Sequence, residues 1–289
     1  MVGCCPSLAM TITILMAIDS QMGIFFNLAK MDLKMLVLPL QSGSKGNCYY
    51  VESDKTRIIV DAGITLRQAR LRLQQHGKNI DDVTDLLITH DHSDHCRHLS
   101  TYSKNLNVTV RTTDKTLRAI TRNPKYGEVK KADCFEAGQS VEVGDLTVHS
   151  IPTPHDAADG VAYVIENGDK RIGILTDLGH VFSGLREVLQ SLDAVIIESN
   201  YDEDMLESGP YPEFLKHRIS GTGGHLSNED SARLIHSADN TRLKWVCLCH
   251  LSDENNCPDT AIRTHQHWLG EDYPIYVAKR HEASQPMSL

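Results

Sequence analysis

From residue 36 to residue 278 the chain alternates short β-rich runs with stretches of helical spacing. Runs of Val, Ile, Leu and aromatic residues bounded by turn-forming residues predict strands over Leu36–Leu40, Cys48–Glu52, Arg57–Val60, Leu86–Thr89, Val108–Arg111 and Ser140–Val143. The same pattern continues over Thr147–Ile151, Val161–Glu166, Arg171–Thr176, Ala194–Glu198, Val246–Cys249 and Ile275–Ala278. Helices fit between some of them. Leu66, Ala69 and Leu73 recur at i, i+3 and i+7, and Ser227 followed by Asp230 makes a capping box ahead of Leu234, Ile235 and Ala238. The turn Glu166-Asn167-Gly168-Asp169 reads as a hairpin, so antiparallel pairs mix with βα units and a purely parallel doubly wound sheet is disfavoured. The pattern predicts an α/β protein with two mixed sheets packed face to face and helices outside. No repeat or Pro/Ser-rich linker divides residues 35–280, which read as one domain followed by a tail over 281–289.

Residues 1–34 follow different rules. The apolar stretches Leu8–Ile18 and Met22–Leu28 are interrupted by Asp19 and too short to cross a bilayer. The first Lys is Lys30, so the basic region that opens an export signal is missing. Met22, Met31 and Met35 all precede the first strand, and the segment reads as a dispensable extension from an over-extended start, with an atypical export signal or added helix as the alternative.

Charge narrows the partners. Lys plus Arg number 29 against 38 Asp plus Glu, a formal net charge of −9, which excludes a generally basic nucleic-acid coat. The stretch 97–131 departs from this, with nine Lys or Arg against Asp114 and Glu128. It either tracks a nucleic-acid backbone into a site or forms an ordinary solvated face. The 8 cysteines are scattered, as reduced thiols in a cytosolic protein would be, and alternation puts Cys247 and Cys249 on one face of a strand as core packing.

The candidate chemistry lies in Leu86-Leu87-Ile88-Thr89-His90-Asp91-His92-Ser93-Asp94-His95, where an apolar strand runs directly into three histidines and two aspartates. His90 and His92 can point to one side of an extended chain, while Asp94 and His95 lie a turn onward at a helix start. These nitrogen and oxygen donors suit Zn²⁺, Mn²⁺ or Fe²⁺. His155, Asp177 and His250 each follow a predicted strand and are further loop-borne candidates.

These residues resemble the signature of the metallo-β-lactamase-fold hydrolases, with Asp61 of Ile58-Ile59-Val60-Asp61-Ala62-Gly63 completing the pattern. The resemblance covers about residues 36–280 and implies a four-layer αββα sandwich with two divalent metal ions, Zn²⁺ or Mn²⁺ with Fe²⁺ as a further option. It implies that His90, His92 and His155 hold one ion, that Asp94, His95 and His250 hold the other, and that Asp177 bridges them. Asp61 would orient the ligand loop.

Gly224-His225-Leu226-Ser227 and His250-Leu251-Ser252 are similar to the carboxyl-terminal pattern of phosphodiesterases of this fold, which implies that His225 faces the scissile phosphate as general acid. Further similarity is to the YycJ/WalJ group of cytoplasmic 5′ exonucleases acting on DNA. It is carried by Ser42-Gly43-Ser44-Lys45-Gly46-Asn47, Glu198-Ser199-Asn200-Tyr201-Asp202, Gly221–Asn228 and His250 to Asn256. Ser42, Ser44 and Asn47 become candidates for substrate binding, since a Ser/Gly loop lets backbone N–H groups approach an anion. The implied reaction is attack by a dinuclear-metal-bound hydroxide, oriented by Asp94 or Asp177, on a DNA phosphodiester. His98 stands where that group usually has Gly, with Cys96 between, so the helix start is expected to pack differently. Cys257 replaces a more usual hydroxyl residue and adds an oxidisable thiol. The competing readings are an RNA or small-molecule phosphodiesterase, a thioester or lactone hydrolase, and a non-catalytic metal-binding or redox module using Cys96.

Overall fold

The computed structural model describes residues 35–239 and 241–289, so the 1–34 extension lies outside the described residues. The first six strands, β1 (Leu36–Gln41), β2 (Cys48–Glu52), β3 (Arg57–Val60), β4 (Asp85–Leu87), β5 (Thr109–Thr113) and β6 (Ala132–Phe135), lie side by side in one sheet. The next seven, β7 (Ser140–Val143), β8 (Leu146–Pro152), β9 (Val161–Asn167), β10 (Lys170–Leu175), β11 (Ala194–Glu198), β12 (Val246–Cys249) and β13 (Ile275–Val277), form the second. β14 (Met287–Ser288) returns to pair antiparallel with β1, so the first sheet takes residues from the stretch read from sequence as a tail. Both sheets are mixed: β3 to β6 and β10 to β13 run parallel, and the remaining neighbours are antiparallel. The hairpin between β9 and β10 forms with Lys170 opposite Asn167, and Gly168 supplies the positive φ of 61° in its two-residue turn.

Period-two alternation sorts the side chains into layers. Val37, Tyr49, Val51, Ile58, Val60 and Leu87 point from the first sheet toward Ile172, Ile174, Ala194, Ile196, Cys247 and Cys249 of the second, making the inter-sheet core. The intervening residues Leu38, Tyr50, Ile59 and Leu86 face outward onto α1 (Leu66–Gln75), α2 (Ser93–Cys96) and α3 (Leu99–Asn105), and onto α4 (Asp114–Arg122) through Ile120. On the other side Val195, Ile197, Val246 and Leu248 pack on α5 (Leu185–Gln190), on α8 (Asn228–Ala238) and on α9 (Pro258–Leu269). Between α5 and α8 lie two shorter helices, α6 (Glu203–Ser208) and α7 (Glu213–Ser220). The fold is the four-layer αββα sandwich expected from the sequence. Cys247 and Cys249 share the inter-sheet face, and the six described cysteines are free thiols.

Three differences have local causes. β4 stops at Leu87 instead of continuing to Thr89, because the Thr89 N–H donates to the Asp61 carboxylate at 2.9 Å rather than to a neighbouring strand. β6 carries no apolar alternation, since three of its four residues are exposed. His98 separates α2 from α3, with its N–H donating to Ala62 O, so the segment after the metal motif is two short helices. No helix among the described residues is long and apolar enough to cross a membrane.

Candidate metal centre

Apart from His155, which follows the antiparallel strand β8, the candidate ligands converge because they leave the carboxyl ends of parallel strands from both sheets. Asp61 follows β3, the His90–His95 segment follows β4, Asp177 follows β10 by two residues, Glu198 ends β11 and His250 follows β12. Such ends open a crevice in α/β sheets. Asp61, Asp177 and His250 adopt φ of 66°, 53° and 54°, and only Asp239 among the other described non-glycine residues shares that left-handed conformation. The chain leaving each of these strands thus takes up the left-handed conformation at a site residue, a strain that persists where surrounding structure over-determines it. Gly63 lets the loop after β3 lie against the motif helix, since a Cβ there would stand 1.7 Å from Asp94 O.

Donor atoms of His90, His92 and His155 lie within 4.8 Å of one another, as do those of Asp94, His95 and His250 and those of His90, His95 and Asp177. Asp177 reaches both sets: Oδ2 is 3.1 Å from His95 Nε2, and Oδ1 is 3.5 Å from His155 Nε2 and 3.7 Å from His250 Nδ1. The structure therefore brings together all seven residues expected to hold metal.

The histidines are oriented from behind. His95 Nδ1 donates to Asp61 Oδ2 at 2.6 Å, His155 Nδ1 to Gly224 O at 2.8 Å, and His92 Nε2 to Asp156 O at 3.1 Å. Their other nitrogens turn inward, with His155 Nε2 3.1 Å from His92 Nδ1. His90 Nε2 is buried with no hydrogen-bond partner. An orphaned imidazole nitrogen among inward-facing donors, each fixed by an outer hydrogen bond, is the arrangement a divalent cation requires. The residues fit a metal centre.

The charges agree. Burial disfavours ionised Asp177, yet His250 and His95 hold its carboxyl well below the usual range. Burial also opposes a proton on His250, but Asp177, Asp94 and Glu198 raise its pKa to about 10. These carboxylates attract positive charge, and a divalent ion competes with the proton for the same nitrogen.

His225 stands across the cleft, its ring 5.0 Å from that of His155 and 5.2 Å from that of His250. Its Nδ1 donates to Glu198 Oε1 at 2.6 Å. Glu198 is a residue the sequence pattern did not single out as part of the site. It is wholly buried, accepts from the backbone N–H groups of Leu178 and Leu226, and lies 3.4 Å from His250 Nδ1. Burial works against its charge, but His225 and His250 hold its pKa at about 2, so it is a carboxylate. An acidic residue ending the apolar run Ala194–Glu198 was the available signal.

The Ser/Gly loop divides. Ser44 lines the cleft, whose volume is about 390 Å³. Ser42 and Asn47 are fully buried. Ser42 Oγ accepts from the His250 N–H at 2.8 Å, and Asn47 Nδ2 donates to Asp94 Oδ2 at 3.2 Å and lies 3.0 Å from His95 Nε2. These two brace the candidate ligands instead of opening to substrate. None of the basic residues of 97–131 lines the cleft. Arg111 pairs with Asp85 and Asp133, Lys115 with Asp159, and Arg118 with Asp114. Burial pushes the Cys96 thiol up to about 12, and its Sγ donates to Asp91 O at 3.2 Å, which argues against a redox role.

Residues 56–250 match the family model described as "Beta-lactamase superfamily domain". The chain belongs to the β-lactamase superfamily, as a metal-dependent hydrolase of the metallo-β-lactamase fold. It is 33% identical over 222 residues to "Exodeoxyribonuclease YycJ" of Bacillus anthracis, covering 77% of this chain and 84% of the relative. "Exodeoxyribonuclease WalJ" of Streptococcus pneumoniae serotype 2 (strain D39 / NCTC 7466) is 33% identical over 246 residues, covering 82% and 91%. Among solved structures, the metallo-β-lactamase fold protein YhfI from Bacillus subtilis superposes with a TM-score of 0.66 at 15% identity, covering 87% of this chain and 99% of that one.

Proposed function

We infer that the protein is a cytoplasmic, metal-dependent phosphodiesterase that removes nucleotides from the 5′ end of DNA. The observation that carries this reading is a partly exposed imidazole, His225, anchored by a buried carboxylate beside two sets of metal donors that share Asp177. The names of the two relatives support DNA as the polymer and an exonuclease as the activity.

His90, His92 and His155 would hold one divalent ion, Asp94, His95 and His250 the second, with Asp177 shared. Such ions supply a strong nucleophile at neutral pH and neutralise charge developing on phosphate. Asp61 and Asn47 keep His95 and Asp94 aimed inward. Asp94 and Asp177 offer carboxylate oxygens to orient the attacking water. With its Nδ1 proton committed to Glu198, His225 presents Nε2 to the cleft. In the imidazolium form that nitrogen donates its proton to the leaving oxygen as the phosphorus–oxygen bond breaks. Ser44, on the cleft rim, contacts the substrate backbone.

The test is degradation of end-labelled single- and double-stranded DNA and RNA by protein reconstituted with Zn²⁺ or Mn²⁺, with His92→Ala as control. Metal-dependent release of nucleotides from the 5′ end of DNA, lost in the variant, is the expected result. Preferential turnover of a glutathione thioester, or metal-loaded protein inert on every nucleic acid, would overturn the reading.

A further inference from the structure

A surface helix ordinarily turns its apolar stripe into a core. α7 does not: none of its residues is buried, and Phe214, Leu215 and Ile219 belong to none of the three apolar cores. Leu215, Arg218 and Ile219, at i, i+3 and i+4, line the metal-centre cleft together with Tyr211 just before the helix. Phe214, adjoining this stripe three residues after Tyr211 and four before Arg218, is 73% exposed.

The stripe is firmly attached. The His225 N–H donates to Ile219 O at 2.9 Å, tying the end of α7 to the loop that carries the general acid. Arg218 Nε donates to Asp156 Oδ2 at 2.8 Å, and Asp156 O accepts from the metal-ligand candidate His92. Pro210 and Pro212 flank Tyr211, and Pro212 has φ −66° and ψ 150°, so the tyrosine sits on a stiff extended backbone. Holding a ring in place beforehand lowers the entropic cost of binding.

We propose that the α7 stripe, with Tyr211 and Phe214 as its rings, is a stacking wall for the base of the nucleotide that departs from the scissile phosphate. This deepens the phosphodiesterase reading and rests on it. The occupant follows from three features. Tyr211, Leu215, Arg218 and Ile219 line the same cleft as His92, Asp94, Asp177 and His250, with Phe214 just outside it, so a group lying on the wall is close to the reacting phosphate. It adjoins His225, which serves the leaving oxygen, so it faces the leaving side. Its rings and the Arg218 guanidinium are planar groups, which suit the π-face of a base irrespective of sequence.

The test compares two 5′-phosphorylated oligonucleotides, one with an ordinary 5′-terminal nucleotide and one whose terminal residue is abasic, with the full chain loaded with Mn²⁺. The wild type should show a KM about tenfold lower for the base-bearing substrate, as expected for one base–aromatic stack. In Phe214→Ala and in Tyr211→Ala that ratio should fall toward one, and Phe214→Trp should preserve it. Phe214 is exposed, so its replacement leaves the fold standing. Equal KM values for the two substrates in the wild type, or a ratio that survives both alanine substitutions, would overturn the wall while leaving the phosphodiesterase reading intact. Failure to cleave either oligonucleotide would overturn both.

Discussion

Replacing His225 by Ala separates the proposed general acid from the candidate metal centre beside it. The side chain is 20% exposed and its contact with Glu198 is a single 2.6 Å hydrogen bond, so truncation opens little core. It leaves Glu198 still accepting from Leu178 N and Leu226 N, and the stability cost is that of one lost bond to a buried carboxylate, about 1–3 kcal/mol. The kinetic cost is larger, about 10²–10⁴ in turnover, or about 3–5 kcal/mol of transition-state stabilisation. That cost depends on the leaving group. An alkoxide leaving from DNA needs the proton, whereas p-nitrophenolate leaves without one, so DNA turnover should suffer the full loss and bis-p-nitrophenyl phosphate turnover should lose less than tenfold. The assay is steady-state turnover of both substrates, with bound metal measured by elemental analysis in the same preparations. Equal losses on the two substrates, or a fall in metal content, would refute the assignment, since the residue would then be a ligand or a scaffold. Glu198→Gln keeps the shape but removes the charge that fixes the His225 tautomer, and should cost about 10- to 100-fold in turnover.

Two further predictions concern the frame of the site. Gly63→Ala would drive a Cβ into Asp94 O, a backbone atom, so it should destabilise the fold by at least about 3 kcal/mol in urea denaturation and lower metal uptake in parallel; an unchanged midpoint would show that the loop yields freely. His265 is a buried histidine on α9 whose Nδ1 donates to Ala261 O, and burial lowers its pKa to about 4 against an ordinary value of about 6.5. The unfolded chain therefore takes up this proton first, and the stability His265 carries is complete above about pH 6.5 and lost as pH falls through about 4. The difference amounts to about 3 kcal/mol, and His265→Gln should remove it from the pH dependence of unfolding free energy, whereas parallel curves for variant and wild type would contradict it.

Much of the centre was legible along the chain because its first part is local. An apolar strand entering His90-Asp91-His92-Ser93-Asp94-His95 confines four donors to six residues, and strand–turn geometry leaves them few places to point. His155, Asp177 and His250 were readable as strand-end residues, although nothing in their spacing states that the strands are neighbours. The alternation of Ile58-Ile59-Val60 and of Ala194-Val195-Ile196-Ile197 likewise announced sheets buried on both faces.

What the sequence alone determined, then, is the strand pattern, the layering and the local His90–His95 cluster, because each follows from the period of a single element, while His155, Asp177 and His250 were tied to that cluster by family resemblance. Tertiary structure decided the rest. It paired Glu198 with His225 across 27 positions, buried Ser42 and Asn47 behind the ligands instead of at the rim, and spent Arg111, Lys115 and Arg118 on nearby carboxylates. It also turned the stripe of α7 toward the cleft instead of into a core. Those outcomes depend on which strand ends meet once two sheets pack face to face, a relation set by residues far apart in the chain and by the burial that only the finished sandwich supplies.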